Sequence, residues 1–194
     1  AKLRELHNSW TVLRPNVFVE TLVTPASPFL GASEMKHALA NTPIAMISIR
    51  DVAAVAARIL ISDAPKKNET LELSGPEAVK LAEVMGTCGI HVAPQSIDAH
   101  FSGVPSPVAE PMRAFFDACL NGDCAKVTAD TERSLGEPPR RAADVFAREL
   151  TRRALDSGDD VSGYNGRGVW TANYRKHLCF DEIRRKVFHC GCIK

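Results

Sequence analysis

The chain has 194 residues, 45% hydrophobic and 24% charged, with a formal net charge of +1. This is the composition of an ordinary globular protein, and it excludes collagen-like, disordered and supercharged classes. The charge is unevenly spread: residues 1–150 hold 15 Lys+Arg against 18 Asp+Glu, a net −3, whereas residues 151–194 hold 9 against 5, a net +4.

No apolar run approaches the roughly 18 residues that cross a bilayer, and Ala1-Lys2-Leu3-Arg4-Glu5 lacks the apolar stretch of a signal peptide. The reading is therefore a cytoplasmic protein without a membrane partner. Six cysteines in such a chain are too sparse for a disulfide scaffold and are expected to be reduced.

In chain order, Leu3 to Asn8 is suited to the end of a helix, and Trp10-Thr11-Val12-Leu13 is a short apolar, β-branched run closed by Arg14-Pro15-Asn16, which predicts a buried strand stopped by proline. A Pro/Ser-punctuated stretch leads to Gly31. A helix is expected over Ser33 to Leu39 and a strand over Ile44 to Ile49. Asp51 is expected to cap the next helix, whose apolar face runs through Val52, Val55, Ala56, Ile59 and Leu60. Thr70-Leu71-Glu72-Leu73 alternates as a strand. Ser74-Gly75-Pro76-Glu77 reads as a helix start, with Ser74 as cap and Pro76 in the first turn. Ile90-His91-Val92 is a short strand. From Ser96 the pattern is helical, over Val108 to Leu120 with Met112, Phe115, Phe116 and Cys119 inward, then Cys124 to Leu135, then Arg140 to Leu155.

Strands alternating with helices, followed by helices alone, give an α/β fold with a helical C-terminal part. After Ser157 four glycines interleave with Asp, Asn and Ser as in a linker, and the basic end has no helical or strand period. The division is thus 1–156 as a folded unit and 157–194 as an irregular tail.

Four segments in order, SWTVLRPNVFVE, PIAMISIRDVAAVAARIL, NETLELSGPEAVKLAEV and DTERSLGEPPRRAADVFAREL, resemble the NmrA-like family of atypical short-chain dehydrogenases/reductases, from about Asn8 to about Leu150. That family includes NAD(P)-dependent reductases, quinone oxidoreductases and non-catalytic nucleotide-sensing regulators. By its layout WTVLRPN is the fifth strand of a Rossmann-type parallel sheet, so the resemblance implies the C-terminal, substrate-side half. The glycine-rich phosphate loop and any catalytic Tyr or Lys would precede it. Tyr164 and Tyr174, the only tyrosines, lie outside the matched region. The implied fold is a truncated Rossmann-like parallel sheet with a helical substrate-binding part. The implied function is that of an NAD(P)-dependent oxidoreductase acting on a small carbonyl or conjugated substrate, or alternatively a non-catalytic redox-sensing regulator working through a protein partner.

The resemblance carries Arg14, Pro15, Asn16 and Phe18 to the cofactor, NADP or NAD in the parent family, with none expected to be bound by this chain alone. Against that stands the plainer reading that Pro15 ends a strand and Phe18 packs in a core. For the substrate pocket it offers Phe29, Met46, His91, Phe101, Met112, Phe115 and Phe116, although aromatic and Met residues at helical spacing are more often core. Cys179, His189, Cys190 and Cys192 lack the paired spacing of a zinc site, so no metal is expected. The basic doublets of the tail lie in no nucleic-acid-reading motif. The expected partners are a small-molecule substrate and, through the unpaired edge of the first strand, a second copy or another protein.

Overall fold

The computed structural model describes residues 10–23, 34–62 and 68–156. The expected opening helix, Phe29 and the whole 157–194 segment lie outside the described residues. Among the described residues no helix is long and apolar enough to cross a membrane.

Glu69–Leu73 forms β4, as its alternation predicts, and Thr11–Pro15 forms β1, but the strand expected there to be buried and stopped by proline is half-buried to exposed and runs through Pro15. They pair in parallel, from Thr11 opposite Glu69 to Pro15 opposite Leu73, and the backbone N–H of Asn16 adds a last rung to the Leu73 carbonyl at 2.8 Å. Parallel strands need a crossover, and helix α1, Ile49–Ile61, lies in the connection between them. Its Val52, Val55 and Ile59 pack with Leu13, Phe18, Ile47, Leu71, Leu73 and Leu135 into the smaller of two apolar clusters. Leu60 and Ile61 point away, 84% and 79% exposed, so Leu60 leaves the apolar face expected for it.

Asp51 is not the cap of α1. Ser48 is, with extended backbone angles and its hydroxyl accepting the Arg50 N–H, while Asp51 sits in the first turn, 1% exposed. The Asp51 carboxylate accepts the backbone N–H of Arg140 at 2.9 Å and pairs with the Arg140 guanidinium. A charge this deeply buried requires such a partner, and the partner is 89 residues away.

The helix expected over Ser33 to Leu39 is replaced, over the described residues, by strand β2, Glu34–His37, followed by a turn. Its parallel partner is β6, His91–Pro94, and tertiary pairing of this kind overrides local propensity. The strand expected over Ile44 to Ile49 shrinks to β3, Pro43–Ile44, antiparallel to β5, Val79–Lys80, because Ile49 already belongs to α1. Ile47 keeps a single parallel bridge to Phe18.

Ser74 is likewise no helix cap. The chain passes through β5 first, and α2 begins at Leu81, running to Gly86, with the Lys80 N–H held by the Glu83 carboxylate. Gly75 crosses directly over Met46, whose carbonyl oxygen would lie 2.0 Å from any Cβ at that position, so only glycine fits.

The remaining helices are α3, Ile97–His100, α4, Ser106–Leu120, α5, Asp130–Leu135, and α6, Ala142–Asp156. The helix expected over Cys124 to Leu135 is divided: Asp123–Ala125 is one 3-10 turn, and α5 starts at Asp130. Arg140 precedes α6 rather than opening it, because its N–H is spent on Asp51. The larger core joins Val19, Met46, Val84, Met85, Phe116, Cys119 and Phe146 from five segments.

Candidate functional site

In an open α/β sheet, ligands bind outside the carboxyl ends of the parallel strands. At that end of β1 and β4 lies a cleft of about 250 Å³. Arg14, Pro15 and Asn16 form one wall, Glu72, Leu73 and Ser74 the second, and Asp123, Cys124, Lys126 and Thr128, from the segment after α4, the third.

Arg14 and Glu72 are opposite residues in the β1–β4 register, and the guanidinium reaches the carboxylate at 3.1 Å, both side chains largely exposed. Asn16 is committed internally: its Oδ1 accepts the Val17 N–H at 2.7 Å and its Nδ2 donates to the Cys124 carbonyl at 3.0 Å. The same carbonyl accepts the Ala45 N–H at 2.8 Å. Asn16 therefore fastens the loop after β1 to the 3-10 turn and sets the width of the cleft.

The outer edge of β4 is closed by side chains. The Glu72 N–H donates to Asp130, the Thr128 hydroxyl donates to the Glu72 carbonyl, and the Ser74 N–H donates to the Thr131 hydroxyl at 3.0 Å. That hydroxyl in turn donates to the Ser74 carbonyl at 2.8 Å, and the Ser74 hydroxyl accepts the Thr128 N–H at 2.8 Å. Residues 128–131 thus imitate a neighbouring strand and hold the third wall in place.

Of the four residues assigned to the cofactor, Arg14, Pro15 and Asn16 line this cleft, whereas Phe18 turns to the other side of the loop and packs in the smaller core. The assigned pocket residues do not gather into one cavity. Met46 is 1% exposed in the core, and Phe101 and Phe116 are buried against each other at a ring separation of 5.1 Å. Met112 and Phe115, expected to face inward, are exposed on α4, because the covered face of that helix is centred on Ala109 and Phe116. His91 is exposed on β6 and borders a separate open groove of about 500 Å³ with Asn41, Gly86 and Gly89.

Two histidines not singled out in the sequence meet instead. His37 at the end of β2 and His100 at the end of α3 have ring centroids 4.4 Å apart, and both pack on Phe116. The Leu39 N–H donates to His37 Nδ1 at 3.1 Å, and His100 Nδ1 lies 2.9 Å from the Gln95 amide nitrogen, which also donates to the Lys36 carbonyl. Burial, reinforced by His100, pushes His37 down from 6.5 to about 4, and burial also lowers His100. Both rings are neutral at pH 7. The Cys119 thiol is pushed up by burial and by the neighbouring Cys124, so it stays protonated and is no nucleophile. Among the described residues no group of three metal-ligating side chains forms.

No protein-family model matches the chain. The sequence is 27% identical over 151 residues to an uncharacterized oxidoreductase of Bacillus subtilis, YesF, covering 71% of this chain and 52% of that protein. The identity and both coverages are the same for a (4-alkanoyl-5-oxo-2,5-dihydrofuran-3-yl)methyl phosphate reductase of Streptomyces griseus. Similar solved structures include an NADPH-dependent quinone oxidoreductase of Escherichia coli in complex with NADPH, with TM-score 0.63, 23% identity, and 76% of this chain against 56% of that one. Another is the Citrobacter triphenylmethane reductase with NADP(H), with TM-score 0.59, 20% identity, and 73% of this chain against 53% of that one. The fold is therefore α/β of the kind seen in Rossmann-like NAD(P)-binding reductases, and the chain spans about half the length of the relatives it matches.

A dinucleotide also brings a pyrophosphate, which needs free backbone N–H groups at a helix N-terminus. The N-terminus of α1 is already filled: both Glu20 carboxylate oxygens accept the Ile49 N–H, at 3.0 and 3.1 Å, and one also accepts the Ser48 hydroxyl at 2.7 Å. An anion of the chain's own occupies that position, so α1 does not fit a phosphate.

Proposed function

We propose that this chain is the substrate-side, C-terminal half of an NAD(P)-dependent oxidoreductase of the NmrA-like group, acting on a small carbonyl or conjugated substrate. The observation that carries this reading is the cleft at the carboxyl ends of the parallel pair β1–β4, with Arg14, Pro15 and Asn16 on its wall. The oxidoreductase names of the sequence relatives support an enzyme over a sensor.

A nicotinamide ring supplies or accepts hydride when bound. The residues of this chain bind and orient around it. Asn16, locked between Val17 and Cys124, keeps the strand end rigid, and Arg14 and Pro15 would line the wall beside the ring. The small volume favours one ring or one small substrate, since drug-sized ligands fill about 300–1,000 Å³. With the α1 terminus closed by Glu20, the described residues supply no pyrophosphate cradle there. The affinity expected of such a half-site is weak, with a Kd of about 1 mM or above, equivalent to about 4 kcal/mol.

The test is a titration of the full chain with NADPH at millimolar concentration, followed by calorimetry and by backbone amide shifts. Weak binding that moves Arg14, Asn16 and Thr128 supports the reading. Shifts confined to the groove beside His91 would defeat the assignment of the site, and saturable micromolar binding would defeat the half-site.

A further inference from the structure

We infer that the cleft is built to take the oxyanion group of a small ligand, a phosphate or carboxylate, with Lys126 as the binding cation and Arg14 as a second donor. The inference rests on the reading of this cleft as the substrate end.

Most residues around the cleft carry charge or hydrogen-bonding groups, although apolar atoms make up the larger share of its surface. Leu73, Pro15 and Cys124 are its apolar residues. Among its charges, Arg14 and Glu72 already neutralise one another. Lys126 is exposed directly after the 3-10 turn, and among the described residues no carboxylate lies within ion-pair distance of it. Arg14 spends one nitrogen on Glu72 and keeps its other N–H groups.

Two acceptors compete with an incoming anion. Asp123 borders the same cleft, and Glu72 holds Arg14. The four charges on the lining sum to zero, but Glu72 is already engaged with Arg14, which leaves Lys126 and the remaining Arg14 N–H groups as donors to a group made of acceptors. Lys126 is also held in place from both sides. The Thr128 N–H is anchored on Ser74, and the Cys124 carbonyl is anchored by Asn16 and Ala45, so the ammonium projects from a fixed strap rather than a free loop. Such preorganisation lowers the ordering cost of binding.

The experiment is a calorimetric and amide-shift titration of the full chain with inorganic phosphate and with phenyl phosphate at low ionic strength. Saturable binding that shifts Lys126, Thr128 and Arg14 is expected. Lys126→Gln should weaken it about tenfold, the size of one lost charge-assisted hydrogen bond, and Lys126→Arg should restore it. Asp123→Asn should tighten it by removing the competing carboxylate. Two arms distinguish the source of the anion: phosphate displaced by NADPH assigns it to the cofactor, and phenyl phosphate that persists with NADPH assigns it to the substrate. Binding unaffected by Lys126→Gln, or confined to residues after 156, overturns the inference. Phosphate binding without any NADPH shift at Arg14 and Asn16 would keep the anion site and sink the oxidoreductase reading, whereas the reverse would sink the anion site alone.

Discussion

Acidification should destabilise this chain through one imidazole before its carboxylates titrate. His37 has a folded-state pKa of about 4 against 6.5 when unfolded. The lowered value means that the unfolded chain binds the extra proton first. The contribution of neutral His37 is therefore fully present above about pH 6.5, declines as pH falls, and is exhausted near pH 4. At 1.36 kcal/mol per pH unit, the span amounts to about 3 kcal/mol, a large part of the 5–15 kcal/mol that stabilises a typical domain. The geometry explains the loss: a proton on Nδ1 would face the Leu39 N–H that now donates to it, and the ring has His100 and Phe116 for neighbours. The elements packed around His37 carry Glu34 and Lys36 on β2, Asp98 on α3, and Glu110, Arg113 and Asp117 on α4. Asp98 and Arg113 are already paired at 2.7 Å. Urea unfolding from about pH 7 to about pH 5 should show stability falling with a slope near one proton, and His37→Gln, which keeps an acceptor for Leu39, should flatten that slope. Equal slopes in the two proteins, or greater stability at the acid end, would refute the reasoning.

Thr131→Val keeps the volume and removes both hydrogen bonds to Ser74, leaving a buried N–H and carbonyl unsatisfied. It should cost about 2–3 kcal/mol in chemical unfolding, and a loss below about 0.5 kcal/mol would contradict the side-chain ladder. Arg140→Met strands the Asp51 carboxylate in the core and should cost about 3–5 kcal/mol. Arg140→Met with Asp51→Leu should recover much of it, as a thermal melt of the three proteins would reveal.

How far the fold could be read from the residues depended on how far each signal reached. β4 and α1 are carried by local alternation and helical periodicity and β1 by its β-branched apolar run, and the structure keeps all three, with β1 less buried than that run suggests. Ser33 to Leu39 and Ser74 misled because their local chemistry suits a helix start, while their actual partners are β6 and residues 128–131. Asp51 misled in the same way: a carboxylate before an apolar helix is a sound cap signal, yet the hydroxyl three residues earlier took that role. Arg14, Pro15 and Asn16 were reached only through family resemblance. Lys126 and Thr128 join them through the fold of the turn after α4, with Asn16 and Cys124 108 residues apart, and no local spacing encodes that meeting.

The side chains that close β4 also limit how copies of this chain could stack. A sheet open on both margins lets each added molecule recruit another, the arithmetic of a fibril. Here the Glu72 and Ser74 backbone groups are spent on Asp130, Thr128 and Thr131, so nothing can zip onto that side of the pair. Three small polar residues thus turn a potential polymerisation surface into a terminating one, and Thr131→Val should make the chain not only weaker but stickier.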